Sequence, residues 1–209
     1  MARRLLDRHR RREARRQRIL LDRLAAQFQG ALEREMASAM ADMVERWENT
    51  LVVEMPRAFH DRLSALYLQM ADASIRAFAA RIMDQGKATG LVHERKFLDF
   101  AQLMAKLAFQ FIAQEAIRRR IQAVTEITRR HIVTAVEQGY RAGLGTIEIG
   151  KNIRSAIPSI ARYRANVIAR TETHAAANFG SNEAAKNTGL PLRREWLAAH
   201  DAQIGRASC

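Results

Sequence analysis

Hydrophobic residues recur at helical spacing through the first two thirds of the chain. The few residues that interrupt good helix formers before residue 139 are Gly30, Pro56, Gly86 and Gly90. This pattern predicts one helix to about residue 50, which Gly30 can bend, and a second from near Pro56 to about Asp84. Pro56 suits a helix start because its fixed φ matches the first turn. Residues 86–90 then predict a turn.

A third predicted helix runs from about Val92 to Gln138. Apolar residues recur along it at Phe100, Leu103, Leu107, Phe111, Ile117, Ile121, Val124 and Ile132, with a second stripe at Phe97, Ala101, Met104, Ala108 and Ile112. A repeat near 3.5 is typical of a coiled-coil-like seam, although Gln114 and Thr128 interrupt it. At about 1.5 Å per residue the helix would be about 70 Å long, which predicts a packing partner. An ordinary helix-bundle core is the alternative interpretation.

The same predicted helix carries two basic clusters eleven residues apart, Arg118–Arg120 and Arg129–His131. They would return to nearly the same face and could form a basic ladder. Glu115 lies four residues before Arg119, and Glu126 four before Arg130, which favours intrahelical ion pairs instead. We therefore expect a solvated, salt-bridged face.

The amino-acid composition changes at residue 139, where four glycines fall within twelve residues and predict a hinge. Thr146 can cap a short helix that Pro158 would end. Ser159 can cap another helix, which continues towards Asn187 with Gly189 as its stop. Weak alternation over 192–197 predicts one short strand.

These patterns predict a mainly α fold with two parts. Residues 1–138 would form an elongated helical region with long, coiled-coil-like N-terminal helices. Residues 139–209 would form a small helical C-terminal module.

One face of the helix after Ser159 changes from apolar to polar. Ile160, Tyr163 and Val167 define a stripe that continues by threes and fours through Thr171, His174, Asn178 and Asn182, with Arg170 alongside. Buried polar groups cost a few kcal/mol unless they are hydrogen-bonded. We therefore expect the chain after Gly189 to fold back over them, with an ion pair between Arg170 and Asp201. Gly180 would allow that backbone to approach closely.

The formal net charge of +13 comes from the two ends of the chain. Residues 1–24 hold ten Arg and three acids, whereas 25–150 are close to neutral and 151–209 carry an excess of five positive charges. Nine of these ten form the candidate binding set: Arg3, Arg4, Arg8, Arg10, Arg11, Arg12, Arg15, Arg16 and Arg18. With no aromatic residue among them, they suit phosphate contacts without base recognition. Contact with an acidic protein is equally open, because residues 25–55 hold six acids and could pair with this segment in the same or a neighbouring copy.

Composition and motifs exclude several classes of function. The single Cys, Cys209, cannot form an internal disulfide, and no apolar run approaches the roughly 18 residues of a membrane-spanning helix. Phosphate-loop and nucleophile-elbow motifs are absent, so no cofactor, metal site or catalytic residue is predicted. The dipeptides His60-Asp61 and His200-Asp201 leave a metal-dependent hydrolase or nuclease as a third hypothesis.

Residues towards the C-terminal end resemble a known family. The runs are Arg164-Ala165, Ile168-Ala169-Arg170-Thr171-Glu172-Thr173, Ala177-Asn178, Gly180, Glu183-Ala184-Ala185, Gly189-Leu190, Trp196 and Asp201. They are similar to those of the phage head-morphogenesis proteins, the Mu protein F-like minor capsid family, over about residues 139–201. We call Arg164, Ile168, Arg170, Thr171, Glu172, His174, Asn178, Gly180, Trp196 and Asp201 the signature set. After Asp201 the chain lacks the Arg-Thr-Arg-like run and His typical of that family, so the resemblance predicts a truncated or divergent end.

The resemblance implies a binding role rather than catalysis. It suggests a minor protein of a tailed-phage or prophage head that binds portal or major capsid subunits. A homo-oligomer is a further partner hypothesis, which does not come from the resemblance. Its location would be the head interior, or the bacterial cytoplasm during assembly. DNA is the further partner implied by the N-terminal arginines, and a helical nucleic-acid-binding protein unrelated to capsids is the alternative.

Overall fold

The computed structural model describes residues 2–88 and 100–187 of the chain. Five helices make up 93% of these residues, and no strand occurs among them. In chain order they are α1 (Ala2–Thr50), α2 (Arg57–Ala88), α3 (Phe100–Ala113), α4 (Glu115–Arg141) and α5 (Thr146–Asn187). The mainly α prediction is confirmed; the predicted strand over 192–197 lies outside the described residues. Within the described part of the chain, no helix is both long enough and apolar enough to cross a membrane.

Helices α1 and α2 pack side by side in opposite directions. Arg62 Nε near the start of α2 donates to Glu35 Oε2 at 2.6 Å, and Arg81 towards its end pairs with Glu13. Later positions of α2 therefore meet earlier positions of α1. The two helices form an antiparallel hairpin joined by residues 51–56.

Helix α5 lies along the same hairpin, antiparallel to α1. Arg154 makes two hydrogen bonds to the Glu48 carboxylate at 2.7 and 2.8 Å, and Arg162 Nε donates to Glu33 at 3.3 Å. These pairs place the start of α5 beside the end of α1. Helices α1, α2 and α5 thus form a three-helix bundle, with α3 and α4 packed against it.

One hydrophobic core joins all five helices. Its largest fully buried side chains include Trp47, Phe59 and Tyr67, and it extends through α4 and α5 as far as Ala184. A smaller cluster of Leu24, Phe78 and Ala177 lies towards the other end of the bundle. The division at residue 139 stays a prediction, but described residues on both sides of it share this core.

The first two helices begin and end close to the predicted positions. Helix α1 ends at Thr50, and α2 begins at Arg57, directly after Pro56. The turn predicted over 86–90 is wrong in its first part, because residues 86–88 belong to α2. The remainder of that turn lies outside the described residues.

The predicted third helix is not a single rod over the residues that the structure describes. Gln114 has extended backbone angles, φ −62° and ψ 132°, and separates α3 from α4. Phe111 and Ile117 explain the break, since six residues at about 100° each would place them on different sides of one continuous helix. The break buries both, with 2% of each exposed. The apolar residues of the predicted seam therefore belong to the core of the bundle. The inference that a 70 Å helix needs a packing partner is wrong.

Pro158 does not end a helix, contrary to the sequence-based expectation. It lies inside α5, which continues for 42 residues from Thr146. Pro158 and Arg154 are both exposed, so the carbonyl of Arg154 that loses its helical hydrogen bond faces solvent. Ser159 is accordingly no cap; its hydroxyl donates to the carbonyl of Ala156 at 2.9 Å. The predicted hinge is a tight turn between α4 and α5, in which Gly143 adopts φ +74°.

Candidate functional site

The buried face of α5 consists largely of small residues. Its buried positions are Ile149, Gly150, Ile153, Ile157, Ala161, Ala165, Ile168, Ala169, Glu172, Thr173, Ala176, Ala177, Gly180 and Ala184. Small side chains allow α5 to approach α1 and α2 closely, where larger ones would not fit. The predicted stripe is therefore wrong, because Tyr163 is 73% and Val167 48% exposed.

The polar residues that continue that stripe also lie outside the core. Arg170, Thr171, His174 and Asn178 are exposed, and Asn182 is half-buried. The expectation that these side chains form a buried polar face is thus wrong, and the C-terminal tail expected to cover them lies outside the described residues. The predicted Arg170–Asp201 ion pair lies outside the described residues, as does Trp196.

Gly180 permits a close backbone approach, although its neighbour is not the predicted one. A Cβ atom built at Gly180 would lie 2.8 Å from the Cα atom of Ile75 in α2. Real Cβ atoms do not come that close to backbone, so a larger residue would push the helices apart. The packing of α5 on α2 therefore explains this member of the signature set.

Glu172 is the buried acid of the signature set. Its side chain is 5% exposed and accepts a hydrogen bond from Arg120 Nη1 of α4 at 3.1 Å, while Arg120 remains 45% exposed. Burial raises the pKa of Glu172, and the Arg120 guanidinium opposes that shift. The pair links α4 to α5.

Two further polar groups are buried beside this pair. The Tyr67 hydroxyl and Arg164 Nε have no hydrogen-bond partner among the described residues. Burial raises the pKa of Tyr67, with the Glu172 charge adding to the shift, and burial lowers the pKa of Arg164. We call Tyr67, Arg120, Arg164 and Glu172 the internal polar cluster.

The properties of the side chains in the internal polar cluster suit a structural role. A phenol with a raised pKa stays protonated and is a poor nucleophile or base at neutral pH. Three surface clefts between described residues are lined by other side chains. The cluster therefore orients α2, α4 and α5 relative to each other.

The exposed side of α5 meets α1 at the N-terminal end of the latter. His174 is close enough to Asp22 and Arg170 for both charges to act on it. Partial burial lowers the pKa of His174, Asp22 opposes that shift and Arg170 adds to it. His174, an exposed member of the signature set, thus lies beside the Arg-rich part of α1, a proximity for which there is no local sequence signal.

The N-terminal arginines whose side chains are described lie on the surface. Arg11, Arg12, Arg15 and Arg16 are exposed and have no ion-pair partner among the described residues. Arg18 Nε lies 3.9 Å from the Asp22 carboxylate. Arg3, Arg4, Arg8 and Arg10 belong to α1, but their side chains lie outside the described set.

The acidic segment that follows pairs with other parts of the same chain. The pairs are Glu33–Arg162, Glu35–Arg62, Glu48–Arg154 and Glu54–Arg46. Pairing between the basic segment 1–24 and the acidic segment 25–55 does not occur among the described residues. Two stretches of one continuous helix cannot fold onto each other, which explains the difference.

The helix α4 ion pairs agree with the sequence pattern. Arg119 Nε donates to Glu115 at 2.8 Å, and Arg130 Nη2 lies 3.9 Å from Glu126. Arg129 also donates twice to Glu126, at 3.0 and 3.1 Å. The prediction of a salt-bridged, solvated face is confirmed.

The dipeptide His60-Asp61 gains no further metal ligand among the residues that the structure describes. His60 Nδ1 lies 3.8 Å from Asp61 Oδ1 on the surface of α2. Over residues 2–88 and 100–187, no group of three or more His, Cys, Asp or Glu side chains could hold a metal ion. His200-Asp201 lies outside these residues.

Sequence reasoning missed Tyr67, Arg120 and Asp22 as neighbours of the signature set. Tyr67 falls on the apolar face of α2, and Arg120 belongs to a run of three arginines, so neither had a local signal. The exposure of Tyr163 could have been inferred from the alanine-rich face on the other side of α5. Comparisons with family models, curated proteins and solved structures found no match for the chain.

Proposed function

We propose that the chain is a minor head protein of a tailed phage or prophage that binds portal or major capsid subunits during assembly. The observation that carries the proposal is the run Ile168–Thr173, followed by Ala177-Asn178 and Gly180, with its resemblance to head-morphogenesis proteins. In this assignment the chain works in the head interior or in the host cytoplasm before the head is complete.

The arrangement of α5 supports a binding role. Its alanine-rich face is fixed in the bundle, so its other face is presented on a rigid element. That other face carries Tyr163 and Val167 next to polar residues such as Thr171 and Asn178. Protein interfaces commonly combine an aromatic or aliphatic centre with a polar rim. We assign this face to the portal subunit.

Co-purification with the portal protein encoded in the same genome tests the assignment. The tagged chain should retain portal protein, and a Tyr163→Ala and Val167→Ala double variant should retain at least tenfold less, as expected for loss of central contacts. Phe109→Ala is the matched control, because Phe109 is a 63% exposed aromatic residue on α3. Absence of portal and capsid protein from the wild-type eluate would contradict the proposed function.

A second candidate function is nucleic-acid binding unrelated to capsids. The observation that favours it is that Arg11, Arg12, Arg15 and Arg16 are exposed and have no ion-pair partner among the described residues. Duplex DNA binding that weakens steeply with salt, in a chain that retains no portal protein, would favour this candidate over the first.

A further inference from the structure

The outward face of α1 carries arginines well beyond the N-terminal segment. At about 100° per residue, Arg12, Arg23 and Arg34 return to nearly the same line, eleven residues apart. All three are exposed, and none has an ion-pair partner among the described residues. Arg15 and Arg16 lie close to this line. We call Arg12, Arg15, Arg16, Arg23 and Arg34 the α1 arginine face.

The burial pattern fixes the direction of this face. Leu24, Phe28 and Leu32 point into the bundle from the opposite side of α1, and each is less than 9% exposed. A rise of about 1.5 Å per residue places the backbones of Arg12 and Arg23 about 16 Å apart, and Arg34 about 16 Å further. Each of these two backbone separations exceeds the roughly 12 Å width of the major groove of B-DNA. Guanidinium groups at the two ends can therefore reach phosphates on both sides of a groove.

We infer that the α1 arginine face binds the phosphodiester backbone of double-stranded nucleic acid without reading its sequence. The inference rests on the second candidate function above and names the surface and ligand class for it. Arg170 on the adjacent part of α5 extends the positive surface, next to His174. Asp22 lies at the edge of the face, where it is close to Arg18.

Two observations favour duplex nucleic acid over other polyanions. Single-strand binders stack bases on aromatic side chains, and the aromatic residue of α1 between residues 11 and 34, Phe28, is buried. An acidic protein interface would need apolar or aromatic anchors, and this part of α1 offers Ile19, which is 50% exposed. The acidic segment of a second copy is a poor partner as well, because Glu33, Glu35 and Glu48 already pair with arginines of their own chain.

Binding of a 30-base-pair duplex of arbitrary sequence, measured by fluorescence anisotropy between 50 and 200 mM salt, tests the inference on the full chain. The variant Arg12→Gln, Arg23→Gln, Arg34→Gln removes three phosphate contacts. Each contact contributes about 0.9 to the slope of log affinity against log salt, so the slope should fall by about 2.7. The wild-type chain should accordingly lose about 40-fold more affinity than the variant over this salt range.

The matched control is the variant Arg57→Gln, Arg118→Gln, Arg141→Gln, which removes the same charge from exposed arginines elsewhere. Its slope should remain that of the wild type. An equal fall in both variants would show that net charge alone drives binding and would overturn the inference. Circular dichroism of both variants checks that the exposed substitutions leave the fold intact.

Two more measurements separate this inference from the function on which it rests. If deletion of residues 1–10 abolishes duplex binding and the triple variant leaves it unchanged, nucleic-acid binding stands but the α1 arginine face is the wrong surface. If no duplex binding occurs at 50 mM salt, both fail. Equal or tighter binding of a single strand, or of polyglutamate at the same charge concentration, would also overturn the inference.

Discussion

At the scale of single residues, Gly180 is a point of close packing of α5 on α2. A methyl group there would meet the Cα atom of Ile75, which belongs to backbone and cannot rotate away. We expect Gly180→Ala to lower the free energy of unfolding by about 1–3 kcal/mol, as for other overpacked cores. Chemical denaturation of the purified variant measures the change.

Gly30→Ala is the control for that substitution. Gly30 also lies inside a helix, but a Cβ atom there would be 3.6 Å from Arg34 Nη1, an ordinary contact with a flexible side chain. Removing a helical glycine should stabilise the chain by about 0.5–1 kcal/mol. A Gly180→Ala variant as stable as Gly30→Ala would contradict the close packing of α5 on α2.

The buried carboxylate of Glu172 gives a pH dependence opposite to that of ordinary acid unfolding. Its pKa is raised in the folded chain, chiefly by burial, so its stabilising contribution is full below the unfolded pKa of about 4.5 and is lost as pH rises through the folded pKa. Glu172→Gln should therefore raise the unfolding free energy by about 1 kcal/mol at pH 7 and by less at pH 4.5. Arg120 is half-exposed and can be solvated without its partner. Thermal unfolding at both pH values measures the difference.

Glu48→Gln supplies a control of opposite sign. Hydrogen bonds from Arg154 lower the pKa of Glu48, so its contribution is present above pH 4.5 and is lost as pH falls through the lower, folded pKa. This substitution should lower the melting temperature at pH 7, with a smaller effect in acid. The same pH trend in both variants would show that the two carboxylates do not differ in the way that the structure indicates.

At the scale of helices, the sequence predicted those helix starts and ends that depend on local backbone chemistry. Pro56 directly precedes α2, as predicted. The start of α5 was predicted to within one residue, because Thr146 is its first helical residue rather than its cap, and the carbonyl of Gly145 accepts the first helical hydrogen bond. The break at Gln114 was not, because it depends on burying Phe111 and Ile117 in one core rather than on a local helix breaker. The orientation of α5 was missed for a similar reason: close helix packing favours its alanines over larger residues such as Tyr163.

Pro158 shows that a helix breaker can be overridden by tertiary packing. Ile157 and Ala161 on either side of it are buried, so core packing keeps α5 continuous through this point. Pro158→Ala should restore the hydrogen bond to the carbonyl of Arg154 and stabilise the chain by about 1–3 kcal/mol. For a chain of this size that corresponds to a melting temperature higher by roughly 2–4 °C per kcal/mol.

Ser159→Ala is the control for the proline variant, because it changes the next exposed residue without altering a backbone donor. Its effect should stay within about 0.5 kcal/mol. A Pro158→Ala variant that melts at or below the wild-type temperature would mean that α5 is already relaxed around the proline.

At the scale of the whole molecule, α5 completes the core of α1 and α2. Met36, Met40 and Met43 of α1 are fully buried in the cluster that also contains Ala161 and Ala165 of α5. A chain without α5 would expose this part of the core to water. The shared core therefore predicts one cooperative unfolding transition for the full chain, rather than separate transitions on the two sides of residue 139.

A fragment of residues 1–141 tests that prediction directly. It retains α1 to α4 but lacks α5, so it should keep much of its helical signal, bind a hydrophobic dye and unfold without a sharp transition. Addition of a peptide of residues 146–187 should restore part of the cooperativity, since that peptide carries the buried alanine face. Circular dichroism against temperature, with dye fluorescence, measures both effects. A fragment that unfolds as sharply as the full chain would instead support an independent N-terminal domain, because its core would then be complete without α5.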